Sequence, residues 1–151
     1  LYERAIRVPV IGRGAFSLAF ALKAPYFLTL APRVLELRPN YAKIKVRKWW
    51  GVHNHLGTVH AIAVANGLEM AMGALAEASI PSRLRWIPKG MEVKYLAKAT
   101  GTQHAVATPA QAIVSAEAGY ALPVNVQVRD TAGTMVFEAR IDMWVSPVKR
   151  S

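Results

Sequence analysis

The sequence predicts an α+β domain: one long apolar helix wrapped by a curved antiparallel sheet, with a short helix ahead of it. Two observations carry that expectation. Thr58 to Ser79 reads TVHAIAVANGLEMAMGALAEAS, free of proline and rich in Ala, Leu and Met, a composition of high helix propensity. The strand-like segments then follow that stretch in direct succession, which separates α+β from alternating βαβ order.

Each element has its own signal. Phe16, Ala19, Phe20 and Lys23 recur at helical spacing, so Gly14 to Ala24 reads as a short amphipathic helix, with PYFLTLAP as its irregular continuation. RVLELRP and YAKIKVRKWW read as two extended pieces split by Pro39-Asn40. In the second, Lys43, Lys45 and Arg47 alternate with Ile44 and Val46, the pattern of a strand with one wet face. In the long helix Thr58 is the expected N-cap, and Val64, Leu68, Ala71 and Leu75 fall on one stripe. Ile62, Ala65, Gly73 and Ala76 surround the carboxylate of Glu69 on the opposite side. Such a helix is buried on more than one side, and Gly67 and Gly73 permit close backbone approach. After Pro81, the segments MEVKYLAKAT, TQHAVATPAQAIVSAE, LPVNVQVRD and TMVFEARIDMWVS read as strands. Val124, Val126 and Val128 form one inner face, and Phe137, Ala139, Ile141, Met143 and Val145 another. DTAGT supplies a hairpin turn between the last two.

At 151 residues the chain has the length of a single domain, 1–151, with 1–32 as the N-terminal helical segment and 33–151 as the core. The absence of cysteine excludes disulfides, thiolate metal sites and a cysteine nucleophile, and makes the cytoplasm the expected compartment. Nineteen Lys and Arg against 9 Asp and Glu give a formal charge of +10, which favours a phosphate-bearing or otherwise anionic partner. AFSLAFALKAPYFLTLAP follows Arg4, Arg7 and Arg13 in the order of a signal peptide, but Lys23 and Pro25 interrupt it well short of the ~20 apolar residues a bilayer span needs. No stable membrane insertion is therefore expected. The four tryptophans are scattered and no nucleic-acid motif is present, so no nucleic-acid partner is expected.

The densest chemical signal is HNHLGTVHAIAVANGLE, His53 to Glu69, with three of the four histidines. His53, His55 and His60 lack a recognised metal-ligand spacing such as H-E-x-x-H, so no metal is expected there. The first helical turn leaves backbone N–H groups and a positive dipole end, and the amides near Val59, His60 and Ala61 are candidates to face a developing oxyanion. Glu69, in apolar company, is suited to act as general base or nucleophile.

The spacing of Asn54, Gly57, His60 and Ala61 as N-x-x-G-x-x-H-A, with Glu69 nine residues beyond the histidine, resembles the hotdog-fold acyl-CoA thioesterases. The branch related to phenylacetyl-CoA thioesterases carries N-x-x-G-x-x-H-G-G and an Asp or Glu at that distance. SLAFALKAPYF looks closer still to an uncharacterised thioesterase-like branch. The resemblance implies a hotdog fold, a homodimer or homotetramer, and hydrolysis of an acyl thioester to free acid and thiol. Coenzyme A would enter as part of the substrate, with no further cofactor. It assigns catalysis to Glu69, reaching toward a partner subunit, with Asn54 orienting water or the carbonyl and His60 bracing the turn. It also makes Arg83, Arg85, Lys89, Lys94 and Lys98 candidates for the CoA phosphates. Ala61-Ile62 stand where the family commonly has Gly-Gly. That departure favours the alternative, a non-catalytic acyl-CoA or lipid-binding hotdog protein.

Overall fold

A computed structural model describes residues 11–148; Arg4 and Arg7, ahead of the apolar N-terminal stretch, lie outside them. Helix α1 (Ile11–Lys23) stops before Pro25, whose ring opens a 3-10 turn, Pro25–Leu30. Strands β1 (Arg33–Arg38) and β2 (Tyr41–Val46) form a hairpin turned by Asn40 at φ 63°, a left-handed conformation that Asn tolerates. A short 3-10 turn, Trp50–Val52, and a loop lead into the long helix α2 (Ala61–Ser79). Four strands follow, β3 (Leu84–Tyr95), β4 (Gln103–Pro109), β5 (Tyr120–Asp130) and β6 (Met135–Pro147).

The six strands make one antiparallel sheet in the order β1-β2-β4-β5-β6-β3, and α2 packs chiefly against β2 and β4. Period-two alternation puts Ala42, Ile44 and Val46 of β2 and the alternate residues of β5 and β6 under the helix. From Val64 to Ala76 every residue of α2 except Glu69 is buried. Leu68, Met70, Met72 and Leu75 have no exposure, and each such side chain contributes about 1.5–3 kcal/mol of hydrophobic stabilisation.

Gly67 is where the helix presses closest. A Cβ there would stand 2.5 Å from Val46 Cγ2 of β2. At Gly73 it would meet Trp86 at 3.5 Å and Phe20 at 3.8 Å, ordinary contact, so the tight approach anticipated at both glycines exists only at the first.

Element boundaries differ from expectation in three places. α2 begins at Ala61, because Thr58 is held in the preceding loop and His60 is the N-cap. β3 starts seven residues before MEVKYLAKAT and contains Pro88, which is accommodated by a register shift between Pro88 and Gly90 on a strand bonded only to β6. β4 ends at Pro109, so QAIVSAE is connecting loop.

The two sheet edges are treated differently. At β1 the Val34 N–H donates to Ser17 Oγ of α1 at 2.9 Å, so the helix covers that edge. At β3 no strand among the described residues lies on the outer side, and Ile87, Met91 and Tyr95 stand exposed.

Candidate active site

The loop before α2 is built around Asn54. Its Oδ1 accepts from the Leu56 and Thr58 N–H groups at 2.9 and 3.1 Å, and its Nδ2 donates to Thr58 Oγ1 at 2.8 Å. Gly57 takes the left-handed conformation, φ 72°, that closes the turn. Asn54 thus shapes the turn, with its carbonyl oxygen doubly engaged.

The helix start is likewise partly occupied. Val59 N–H donates to the Ala99 carbonyl at 2.9 Å, and His60 N–H to that of Val52 at 2.7 Å. His60 Nδ1 accepts from Ile62 N–H at 3.1 Å, capping the helix. The Val59 amide is therefore withdrawn from any oxyanion role. In the first turn the N–H groups of Ala61 and Ala63 have no acceptor among the described residues.

Glu69 projects from the outer side of α2 into a groove roofed by α1 and the 3-10 turn. Asn66, one turn earlier and buried, reaches the Tyr26 carbonyl and Thr29 Oγ1, each at 3.4 Å, and ties that roof down. Phe16, Phe20 and Phe27 stack at successive centroid distances of 6.3 Å. The groove has a volume of about 250 Å³, and Phe20, Phe27, Met72, Trp86 and Pro88 supply its apolar walls. Its ionisable groups are Lys23, Glu69 and Glu77. No cation stands within 4.0 Å of Glu69 among the described residues. Glu69 itself is exposed, so the apolar enclosure anticipated for it is open on one side of the single chain.

Ala61 and Glu69 lie eight residues apart on one helix, hence about 12 Å along its axis at 1.5 Å per residue.

The five cations assigned to CoA do not gather. Nine residues of strand separate Arg85 from Lys94, about 30 Å at 3.3 Å per residue. Arg83 is bonded to Ser115 and Glu117, Arg85 to Ser146, and Lys94 to Glu138. Lys89 and Lys98 have no such partner among the described residues, and Lys89 follows Pro88 of the groove wall. His53 and His55 are exposed, and no three potential metal ligands cluster among the described residues. No described helix is long and apolar enough to cross a membrane.

Sequence reasoning missed the groove's other contributors: Phe20 and Lys23 read only as an amphipathic helix, Trp86 as a scattered aromatic. Asn66 carried a usable signal, being the one amide within an otherwise apolar helical run.

Residues 12–145 match the model of a family described as Domain of unknown function (DUF4442). No curated protein matches the chain significantly. Among solved structures, the protein called genomics APC5556 is 43% identical, with a TM-score of 0.83 over 97% of this chain and 98% of that one. A protein of unknown function from Pseudomonas aeruginosa, PA5026, described as a probable thioesterase, is 22% identical at a TM-score of 0.75, covering 85% and 91% of the two chains. Thioesterase HI1161 from Haemophilus influenzae is 12% identical at 0.70, over 83% and 85%. The fold shared with these proteins is the hotdog fold, one long helix wrapped by an antiparallel sheet.

Proposed function

This chain belongs to the DUF4442 family, and we propose that it is an acyl-CoA thioesterase, hydrolysing an acyl thioester to free acid and CoA thiol. The observation that carries the reading is Glu69: an exposed carboxylate without an ion-pair partner among the described residues, breaking the buried run from Val64 to Ala76 and set against an apolar groove. Support comes from the names of structural relatives, a probable thioesterase and a thioesterase, and from the spacing of Glu69 after His60.

In the proposed reaction the Glu69 carboxylate takes a proton from water as its oxygen attacks the thioester carbonyl. The Ala61 and Ala63 N–H groups receive the oxyanion; the C–S bond then breaks, and the thiolate leaves and is protonated. In this reading those amides come from a second copy of the chain, toward which the family resemblance has Glu69 reach. The uncovered β3 edge, with Ile87, Met91 and Tyr95 exposed, is suited to pairing two copies. Phe20, Phe27 and Trp86 suit an apolar acyl group, and Lys89 stands next to the wall for a CoA phosphate. The reaction calls on no resident cofactor.

The test is thiol release across acyl-CoAs of graded chain length and with aromatic acyl groups, with the oligomeric state measured alongside. Release from apolar acyl-CoAs by an oligomer is expected. The engaged Asn54 amide and Ala61-Ile62 favour the second reading, a non-catalytic acyl-CoA or lipid-binding protein. Tight binding of acyl-CoA without release would establish that one instead.

A further inference from the structure

A second groove bordered by α1, about 610 Å³ in volume, is lined by Leu18 and Leu28 together with Arg33, Lys45 and Arg47. Both leucines are exposed, at 54% and 39%. Four cations elsewhere among the described residues have a carboxylate partner: Arg38 with Glu36, Arg83 with Glu117, Lys94 with Glu138 and Arg140 with Asp142. Among the described residues, none of Arg33, Lys45 and Arg47 has a carboxylate within 4.0 Å.

The sheet register concentrates that charge. Arg33 of β1 is the direct cross-strand partner of Lys45 of β2, Lys45 is that of His104 of β4, and His104 that of Arg129 of β5. Like charges placed directly opposite repel and destabilise a sheet. Burial, and then the charges of Lys43 and Lys45, hold His104 below its ordinary pKa, in keeping with a field already positive. Among the described residues this row of basic residues borders a concave, half-apolar surface without a carboxylate to balance it.

We propose that this groove binds the phosphate group of an amphipathic phosphate ester, with Arg33, Lys45 and Arg47 holding the phosphoryl oxygens and Leu18 and Leu28 taking the apolar part. Arginine presents a planar fork that matches phosphate bidentately, and lysine adds a point charge. The site shares no lining residue with the Glu69 groove and stands whether or not the chain hydrolyses thioesters.

Calorimetric titration at low ionic strength with hexyl phosphate and inorganic phosphate tests it, after thermal unfolding has verified that each variant is folded. Hexyl phosphate is expected to bind the tighter of the two. Arg33→Gln, Lys45→Gln and Arg47→Gln should each weaken both ligands by about tenfold, as expected for a lost charge-assisted contact. Leu18→Ser should weaken hexyl phosphate alone. Arg140→Gln removes the same charge from a cation paired with Asp142 and should change either affinity by no more than about twofold. Sedimentation with phosphatidylcholine vesicles containing phosphatidic acid separates the sources. Vesicle binding that Arg33→Gln abolishes identifies a lipid headgroup, whereas hexyl phosphate binding without vesicle binding identifies a soluble ester. Absence of binding to any probe, or equal weakening by Arg140→Gln, would overturn the proposal, the latter by reducing the effect to net charge.

Discussion

The two grooves bordered by α1 differ in almost every property except that each is partly apolar. One combines Phe20 and Lys23 of the helix with Glu69 and Glu77; the other combines Gly14, Ser17 and Leu18 of the helix with three cations. A formal charge of +10 is therefore not an even coating: two carboxylates are kept in one groove while unpaired cations collect in the other. What a surface patch binds is decided by this local sorting, not by the net charge.

That contrast is open to disruption. Phe20 is stacked on both Phe16 and Phe27 in the Glu69 groove, whereas Leu18, over the cationic groove, is 54% exposed. Phe20→Ala is expected to cost about 2 kcal/mol, below the full range for a completely buried ring, and Leu18→Ala less than about 0.5 kcal/mol, both by urea unfolding. Equal losses would mean that the two faces of α1 are held alike. The helix glycines sharpen the same point. Gly67→Ala drives a Cβ into Val46 on the strand that carries Lys45, and should lower stability by about 1–2 kcal/mol. Gly73→Ala finds room beside Trp86 and Phe20 in the looser groove and should raise stability by up to about 1 kcal/mol through helix propensity. A loss at Gly73 would show that groove to be as tight as the β2 contact.

The smallest effect is in pH dependence. His104 sits below its ordinary pKa of 6.5 because of burial, then Lys43 and Lys45. The unfolded chain then binds the proton more readily than the folded one. This contribution to stability is complete above pH 6.5 and declines as the pH falls below it. Urea midpoints should fall slightly from pH 7.5 toward 5.5, and the fall should be shallower in His104→Gln; an unchanged slope would remove the link between that row of basic residues and stability.

The sheet and central helix were legible because both advertise burial by period. The alternating Val124, Val126 and Val128 and the run from Phe137 to Val145 are buried as their spacing implied, as are Val64, Leu68, Ala71 and Leu75. The start of β3 was hidden by Pro88, which breaks a strand pattern in sequence yet is tolerated at a register shift on an edge strand. Thr58 has the chemistry of a helix cap, but Asn54 captures its hydroxyl, leaving the cap to His60. That the N-terminal helix could cover a groove was legible from its apolar face, but the lining of neither groove was, because only the fold brings Lys23 near Glu69 or Leu18 near Lys45. Glu69 itself stood out as a lone carboxylate in an apolar helix, a local signal that needed no tertiary information.

The central claim rests on that carboxylate, and the most direct measurement is thiol release from the best acyl-CoA substrate by Glu69→Gln, compared with the unaltered chain at matched oligomeric state and stability. The account predicts a fall in kcat of at least about 100-fold with an intact fold, the scale of a lost general base. Turnover unchanged in that variant would contradict it.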